Sequence, residues 1–463
     1  MGCLTFPRSN AAPEMTAIGA SMACGSICPD IGSFISTSGA KMAWSFSALR
    51  LRSNSDICGW SSMKTVMQFG WAILLALPWI VTASPAMGEA TDTTLTAEDL
   101  AQIRTMLRDV PVDVSGSNRH VDDPDAIAFG REAFFSHVLS RNRETACVTC
   151  HDPARHWTDA RDVAIGGTRN TPPLWNLRGA LWMGWTGRAD SLWAQVARVV
   201  ENEREFSIFR ASFLRRIVDD SVLRDRYEVA FGTMPAHVRT APSDCGNATE
   251  CRSWWDGLSI VERDAIDTAF IDACKGISAF VAGIKPPRSR FFEMVERMRD
   301  DAAAQPQMDA RELRGFRLFS GKAGCTMCHH GSTLSDGEFH NIRLRRRSAD
   351  DEDDRYAGLI TLRDSDFNLL SRHNDAPDRV RHTGYVRPDY TFLNSFRTPS
   401  LTGIGHTAPY MHDGRFATLA EVVDYYSEFK GAAEAGHHET VLLKPLFLSP
   451  QEKADLVAFL GAL

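Results

Sequence analysis

Cys147-Val148-Thr149-Cys150-His151 and Cys325-Thr326-Met327-Cys328-His329 are two complete C-x-x-C-H pentapeptides in one chain. The spacing suits one chemistry. Two thiols can add across the vinyl groups of a haem, and the adjacent imidazole can reach the iron from one face. With 11 Cys and 14 His in 463 residues, about 0.008 accidental matches are expected, so a pair of matches is not chance. A redox Cys pair or half a zinc site accounts for the cysteines but leaves the repeated His unexplained. The reading is two covalently bound c-type haems, with His151 and His329 as iron ligands. His330 adjoins the second pentapeptide but falls outside it.

These motifs need elements to hold them, and the surrounding pattern is helical. Residues 126–135 precede the first motif and residues 312–319 the second; each run carries Gly followed by Phe four residues on, Gly130 with Phe134 and Gly315 with Phe319. A small residue one turn before an aromatic allows a close helix crossing with the ring packed beside it. Residues 266–284 put Phe270, Cys274, Ile277 and Val281 on one stripe, which makes Cys274 a core thiol. Ser449, Pro450 and Glu452 form a capping box with proline at the first helical position, opening a final helix over 454–463. No stretch alternates long enough to require a sheet. The expected fold is all-α: two tandem cytochrome c-like domains, 91–305 and 306–463, each with one covalent haem.

A hydrophobic content of 44% is ample for two cores, and a net charge of −7 over 463 residues does not suggest a nucleic-acid partner. Lys64, the apolar run over 69–81 and the small residues over 83–90 read as a secretory signal spanning 63–90, cleaved between Ala86 and Thr91. The run is short for a membrane span and contains Pro78; only an uncleaved signal would tie the protein to a membrane. Translation starting at Met63 or Met67 would leave residues 1–62 as a mis-assigned, disordered extension. Export to the periplasm fits c-type haem attachment, and makes a local disulfide between Cys245 and Cys251 plausible.

Over residues 95–463 the chain resembles the bacterial di-haem cytochrome c peroxidases and their relative MauG. The carriers are both haem motifs, Arg169-Asn170-Thr171-Pro172, the run from Trp185 through Gly187 and Arg188 to Asp190, and Arg397-Thr398-Pro399 leading into residues 407–414. The resemblance implies a peroxide-reducing first haem on His151, a second haem on His329 and charge transfer between them through Trp185. It implies Gln195 and Glu205, ten and twenty residues beyond Trp185, as the hydrogen-bonding partner and the acid/base of the peroxide pocket. Val199 stands where the family has proline. The only histidine in the 152–169 loop is His156, too close behind His151 to match the family's distal ligand, so the first iron is expected to be open. Seventeen residues beyond Pro409 is Tyr426, the position that holds Met in the peroxidases and Tyr in MauG. Tyr426 is therefore the expected sixth ligand of the second haem, with Tyr425 and Met411 as competitors. The resemblance also implies a calcium ion on Asn170, Thr407 and Pro409. One MauG feature is missing: Ala323 replaces the surface tryptophan through which MauG oxidises its protein partner. The implied function is a periplasmic, peroxide-dependent di-haem oxidoreductase, taking hydrogen peroxide and an unidentified protein or small electron donor. Two alternatives stand beside it: a di-haem electron carrier without peroxide chemistry, and a Met-ligated peroxidase.

Overall fold

In the computed structural model, which describes residues 93–108, 114–300, 308–347, 354–434 and 442–463, helices begin mostly where the sequence supplies a side-chain cap. An oxygen on Ser, Thr or Asp accepts from the otherwise unpaired N–H groups of a first turn. α1 (Ala97–Met106) opens on a Thr96–Asp99 capping box and α2 (Pro124–Phe135) on Asp123 with proline at its first turn. α3 (Cys147–Cys150) is a single turn, and α4 (Leu192–Glu201) is capped by Ser191. Asp220 separates α5 (Arg210–Asp219) from α6 (Ser221–Phe231) and caps the latter. α7 (Arg252–Asp256) leads to α8 (Ile260–Ala282), which opens on a Ser259–Glu262 box. α9 (Arg290–Asp300) and α10 (Ala310–Ser320) follow, the latter on an Asp309–Glu312 box. α11 (Arg355–Asp364) is capped by Asp354, α12 (Leu419–Glu428) by Thr418, and α13 (Pro450–Ala462) by Ser449 with the expected Glu452. The fold is all-α in character. Its strands among the described residues are one antiparallel pair of two residues each, β1 (Phe339–His340) and β2 (Phe396–Arg397), with Phe339 opposite Arg397 and His340 opposite Phe396.

The two Gly–Phe runs do equivalent jobs. A Cβ on Gly130 of α2 would lie 2.0 Å from the Gly276 carbonyl oxygen of α8, and one on Gly315 of α10 would lie 2.0 Å from the Asp455 carbonyl oxygen of α13. Both glycines therefore sit where two helix backbones touch, and Phe134 and Phe319, one turn on, are fully buried. Each crossing brings an early helix against a closing helix. Arg314 reinforces the second with two bonds to Asp455, 2.8 and 3.0 Å.

All described residues fall in the compact unit Ala83–Leu463. Two large hydrophobic cores lie within it, one around α2, α4, α5 and α8, the other around α9, α10 and α13. Their membership crosses the chain midpoint. Ile103 and Met106 of α1 join the second core, with Arg317 of α10 bound to Asp99, whereas Phe367, Leu369, Ala376 and Val380 join the first. Cys245 and Cys251 are disulfide-bonded, and Cys274 is buried in α8. The signal expected over 63–90 and the extension before it lie outside the described residues. No helix among the described residues is long and apolar enough to cross a membrane.

The crossing is testable. Gly315→Ala forces a methyl into the α13 backbone and should lower unfolding free energy by about 1–3 kcal/mol. Gly461→Ala, whose Cβ would meet nothing within 4 Å, should cost nothing. Urea midpoints followed by circular dichroism compare them; equal midpoints would contradict the close crossing.

Candidate active site

The two pentapeptides share one local geometry. In each, the His backbone N–H donates to the carbonyl of the first Cys, His151 to Cys147 and His329 to Cys325, both at 2.9 Å. In each, the imidazole Nδ1–H donates to a backbone carbonyl farther on: His151 to Trp157 at 3.1 Å, His329 to Leu334 at 3.0 Å. Both acceptor residues are left-handed, Trp157 at φ 60° and Leu334 at φ 51°. That conformation is uncommon for bulky side chains, and it turns the chain back on the histidine that precedes it. Fixing Nδ1–H in this way selects the tautomer whose Nε2 is free to bind a metal. Burial holds both imidazoles below their ordinary pKa and therefore neutral, the form that coordinates.

All four motif cysteines are half-buried and unbridged. Burial first, then electrostatic neighbours, pushes Cys147 up to about 12 and Cys150 up to about 11; burial likewise pushes Cys325 up to about 12. Two unbridged thiols beside an imidazole with Nε2 available fit a c-type haem at each motif. A cluster of Cys328, Asp336 and His340 has metal-ligand spacing, but thioether formation would use Cys328. His340 instead pairs with Asp336 at 2.7 Å, which pushes its imidazole up to about 10.

Trp185 occupies a loop that the later part of the chain holds by its backbone. Arg397 of β2 donates its Nε to the Gly184 carbonyl (2.9 Å) and its backbone N–H to the Trp185 carbonyl (2.8 Å). Arg355 of α11 donates Nη1 to the carbonyls of Thr186 (3.4 Å) and Gly187 (3.0 Å). Four consecutive carbonyls are thus tied to two arginines. Arg355 is itself packed between Trp182 and Phe339, 4.2 and 3.9 Å from their ring centroids. The indole Nε1 donates to the Asn170 carbonyl (2.8 Å), and the ring meets His412 edge-on at 6.4 Å. Trp185 therefore touches both the loop that follows the first motif and the segment that precedes Tyr426.

Glu205 lies in the turn after α4. Asn202 organises that turn, accepting from the backbone N–H of Arg204 and Glu205 and donating Nδ2 to Glu205 Oε2 at 2.9 Å. Arg198 stands 3.8 Å from the same oxygen. The Glu205 carboxylate contributes to the rise at both Cys147 and Cys150, so its charge is within electrostatic reach of the first motif. Glu203, in the turn beyond α4, is exposed. Glu201 is not: it accepts from Arg210 Nε and Nη2, and Arg210 also binds Asp267. The sequence offered no sign of this ion pair, because Arg210 becomes a neighbour only through tertiary packing. Gln195 sits half-buried on α4, one turn before Val199, with no contact that joins it to Glu205.

The competitors at the second motif separate by their hydroxyl partners. Tyr425 donates to the Ile342 carbonyl at 2.8 Å. The Tyr426 hydroxyl has no hydrogen-bond partner among the described residues, and burial, then Cys325, Tyr425 and Cys328, raise its phenol above the ordinary range. Met411, at φ 74°, packs in the same small cluster. Asn170 is drawn to the 407–412 segment by its N–H, which donates to the His412 carbonyl at 2.9 Å, while its Nδ2 donates to Arg161. Thr407 donates Oγ1 to Ile404. His156 stacks on His406, 4.4 Å between centroids.

Comparison with known proteins converges on one family. A sequence profile described as di-haem cytochrome c peroxidase matches residues 124–300. The methylamine utilization protein MauG of Methylorubrum extorquens is 30% identical over 372 residues, 79% of this chain and 85% of that protein. The cytochrome-c peroxidase IdrP1 of Denitromonas iodatirespirans is 31% identical over 346 residues, 73% of this chain and 81% of its own. The chain belongs to the di-haem cytochrome c peroxidase and MauG family. The crystal structure of the diheme peroxidase BthA from Burkholderia thailandensis shares the fold, with a TM-score of 0.53 at 20% identity over 73% of this chain and 86% of that one. As a member of this family the protein is a peroxidase-type oxidoreductase with two c-type haems.

Tyr426 is the candidate sixth ligand at the second motif. Oxidised protein is then expected to show one high-spin and one low-spin haem, and Tyr426→Phe to abolish the low-spin signal in electron paramagnetic resonance. A low-spin signal that survives the change would transfer the assignment to Met411.

Proposed function

We propose that this chain reduces hydrogen peroxide at a haem held by Cys147, Cys150 and His151, and draws electrons from a protein or small donor through a second haem held by Cys325, Cys328, His329 and Tyr426. The haems supply iron centres able to cleave the O–O bond and to store the resulting oxidising equivalents. The protein supplies the proton path. Glu205 takes a proton from one peroxide oxygen and returns it to the other, so that water can leave; Gln195 hydrogen-bonds and orients the peroxide. Two electrons and two protons per peroxide complete its reduction to two waters. Trp185, held through its loop carbonyls and its indole N–H, is the side chain through which charge passes between the two halves.

The observation that carries this reading is the Glu205 carboxylate, held in the turn after α4 by Asn202 at 2.9 Å with Arg198 at 3.8 Å from the same oxygen. An electron carrier has no need of a held carboxylate there. The same family pattern supports a calcium ion on Asn170, Thr407 and Pro409, since oxygen donors suit a hard cation. It supports two haem-bearing domains, 91–305 and 306–463, that exchange α1 and residues 367–380 between their cores, and export to the periplasm under a signal at 63–90.

General acid–base help of this kind is worth about 10²- to 10⁴-fold. Glu205→Gln keeps the size and hydrogen bonding of the side chain but cannot shuttle a proton. It should slow the reaction with peroxide at least tenfold while leaving both haem spectra unchanged. Glu203→Gln should react as wild type does. Stopped-flow absorbance measures both; equal rates for wild type and Glu205→Gln would refute the assignment.

A further inference from the structure

The local geometry shared by the two motifs extends one step further, to an acid. Two residues beyond each carbonyl that receives the imidazole N–H stands an aspartate: Asp159 after Trp157, and Asp336 after Leu334. Each closes the same small turn. Asp159 Oδ1 accepts from the Arg161 N–H at 3.1 Å, and Asp336 Oδ1 from the Glu338 N–H at 2.9 Å. The second oxygens differ. Asp336 Oδ2 is paired with His340 at 2.7 Å. Asp159 Oδ2 is buried with no hydrogen-bond partner, in a residue only 3% exposed, and Asp159 makes no ion pair with any described residue. Arg155 reaches its carbonyl at 2.9 Å rather than its carboxylate.

Backbone register places this carboxylate beside the first motif. Asp152 and Thr158 form an antiparallel bridge, so the next residues outward, His151 and Asp159, are cross-chain neighbours. At Cys150 burial raises the thiol most, and the Asp159 charge is the next largest cause. An asparagine would close the same turn without burying a charge. The turn therefore does not explain the acid. Asp190 also has a buried oxygen without a partner, but its other oxygen accepts from Leu369 and Thr383, it belongs to neither motif, and burial pushes its carboxyl up toward the neutral form.

We infer that the Asp159 carboxylate is the counter-charge of the first haem iron and holds that iron in its oxidised form. The inference rests on the two-haem reading. A ferric haem core carries one positive charge that the ferrous core lacks, so a buried anion next to the axial imidazole favours ferric iron and lowers the midpoint potential. At the second motif His340 offsets the equivalent charge of Asp336. One repeated turn thus biases the two irons differently.

The test uses the haem-loaded protein. A pyridine haemochrome assay counts covalent haems first; fewer than two in the wild type would overturn the two-haem reading, and this inference with it. Redox titration followed by paramagnetic resonance then gives each midpoint, the first haem being recognised by its high-spin signal. Asp159→Asn keeps the turn and removes the charge. It should lower the oxidised-to-reduced ratio of the first haem about tenfold at a fixed potential, an upward shift of about 59 mV for one electron, and leave the second haem in place. Asp159→Glu restores the charge and should return most of the shift. Asp162→Asn is the control: its carboxylate is exposed and paired with Arg347, and its loss should move neither midpoint. A fully loaded Asp159→Asn protein with unchanged midpoints, or with both shifted equally, would overturn the inference and leave the two-haem reading standing. Failure of Asp159→Asn to load the first haem would also overturn it, by making Asp159 a structural residue.

Discussion

The hydrogen bond from each C-x-x-C-H imidazole to a backbone carbonyl governs the rest of this structure. A haem iron needs its imidazole fixed in tautomer and direction, and an isolated histidine provides neither. Here Trp157 and Leu334 provide both, each from a left-handed residue that turns the chain back on the histidine. Bulky residues hold such a conformation only when packing over-determines it. Leu334 is fully buried in the second core, and Trp157 packs edge-on against Phe134 and Phe280 of the first. The helix crossings at Gly130 and Gly315 build those cores. Helix contact, core, left-handed carbonyl and imidazole thus form one chain of dependence, present twice.

The two copies are joined by elements that do not repeat. The Trp185 loop has its carbonyls held by Arg397 and Arg355, its indole by Asn170 and its ring edge by His412. A loop fixed at so many points changes little when its side chain changes charge, which suits a group that passes electrons. Rigidity here comes from backbone acceptors rather than from burial of the indole, which remains half-exposed.

Much of this was legible in the sequence because it depends on local spacing. The pentapeptides, the Gly–Phe runs, the Ser449 capping box, the Cys274 stripe and the Cys245–Cys251 pair are all set by residues within a few positions of one another. What escaped was long-range. Arg355 and Arg397 lie some 170 to 210 residues beyond the loop they hold, and nothing in their neighbourhoods marks them as its clamps. The pairing of Glu201 with Arg210 left no sign in the sequence, because Arg210, which also binds Asp267, becomes its neighbour only through packing. The left-handed acceptors were equally hidden, since neither Trp157 nor Leu334 is a residue type that favours that conformation. The exchange of α1 and of residues 367–380 between the cores likewise has no signal in hydrophobic periodicity.

In the proposed function, peroxide chemistry at the first haem reaches the second through Trp185. Rapid mixing of the oxidised protein with one equivalent of hydrogen peroxide, followed by absorbance and freeze-quench paramagnetic resonance, tests it most directly. In the wild type the signals of both haems should change together, and in Trp185→Phe only the high-spin signal of the first haem should change promptly. Identical, simultaneous changes at both haems in Trp185→Phe would contradict the account, as would no response to peroxide in the wild type.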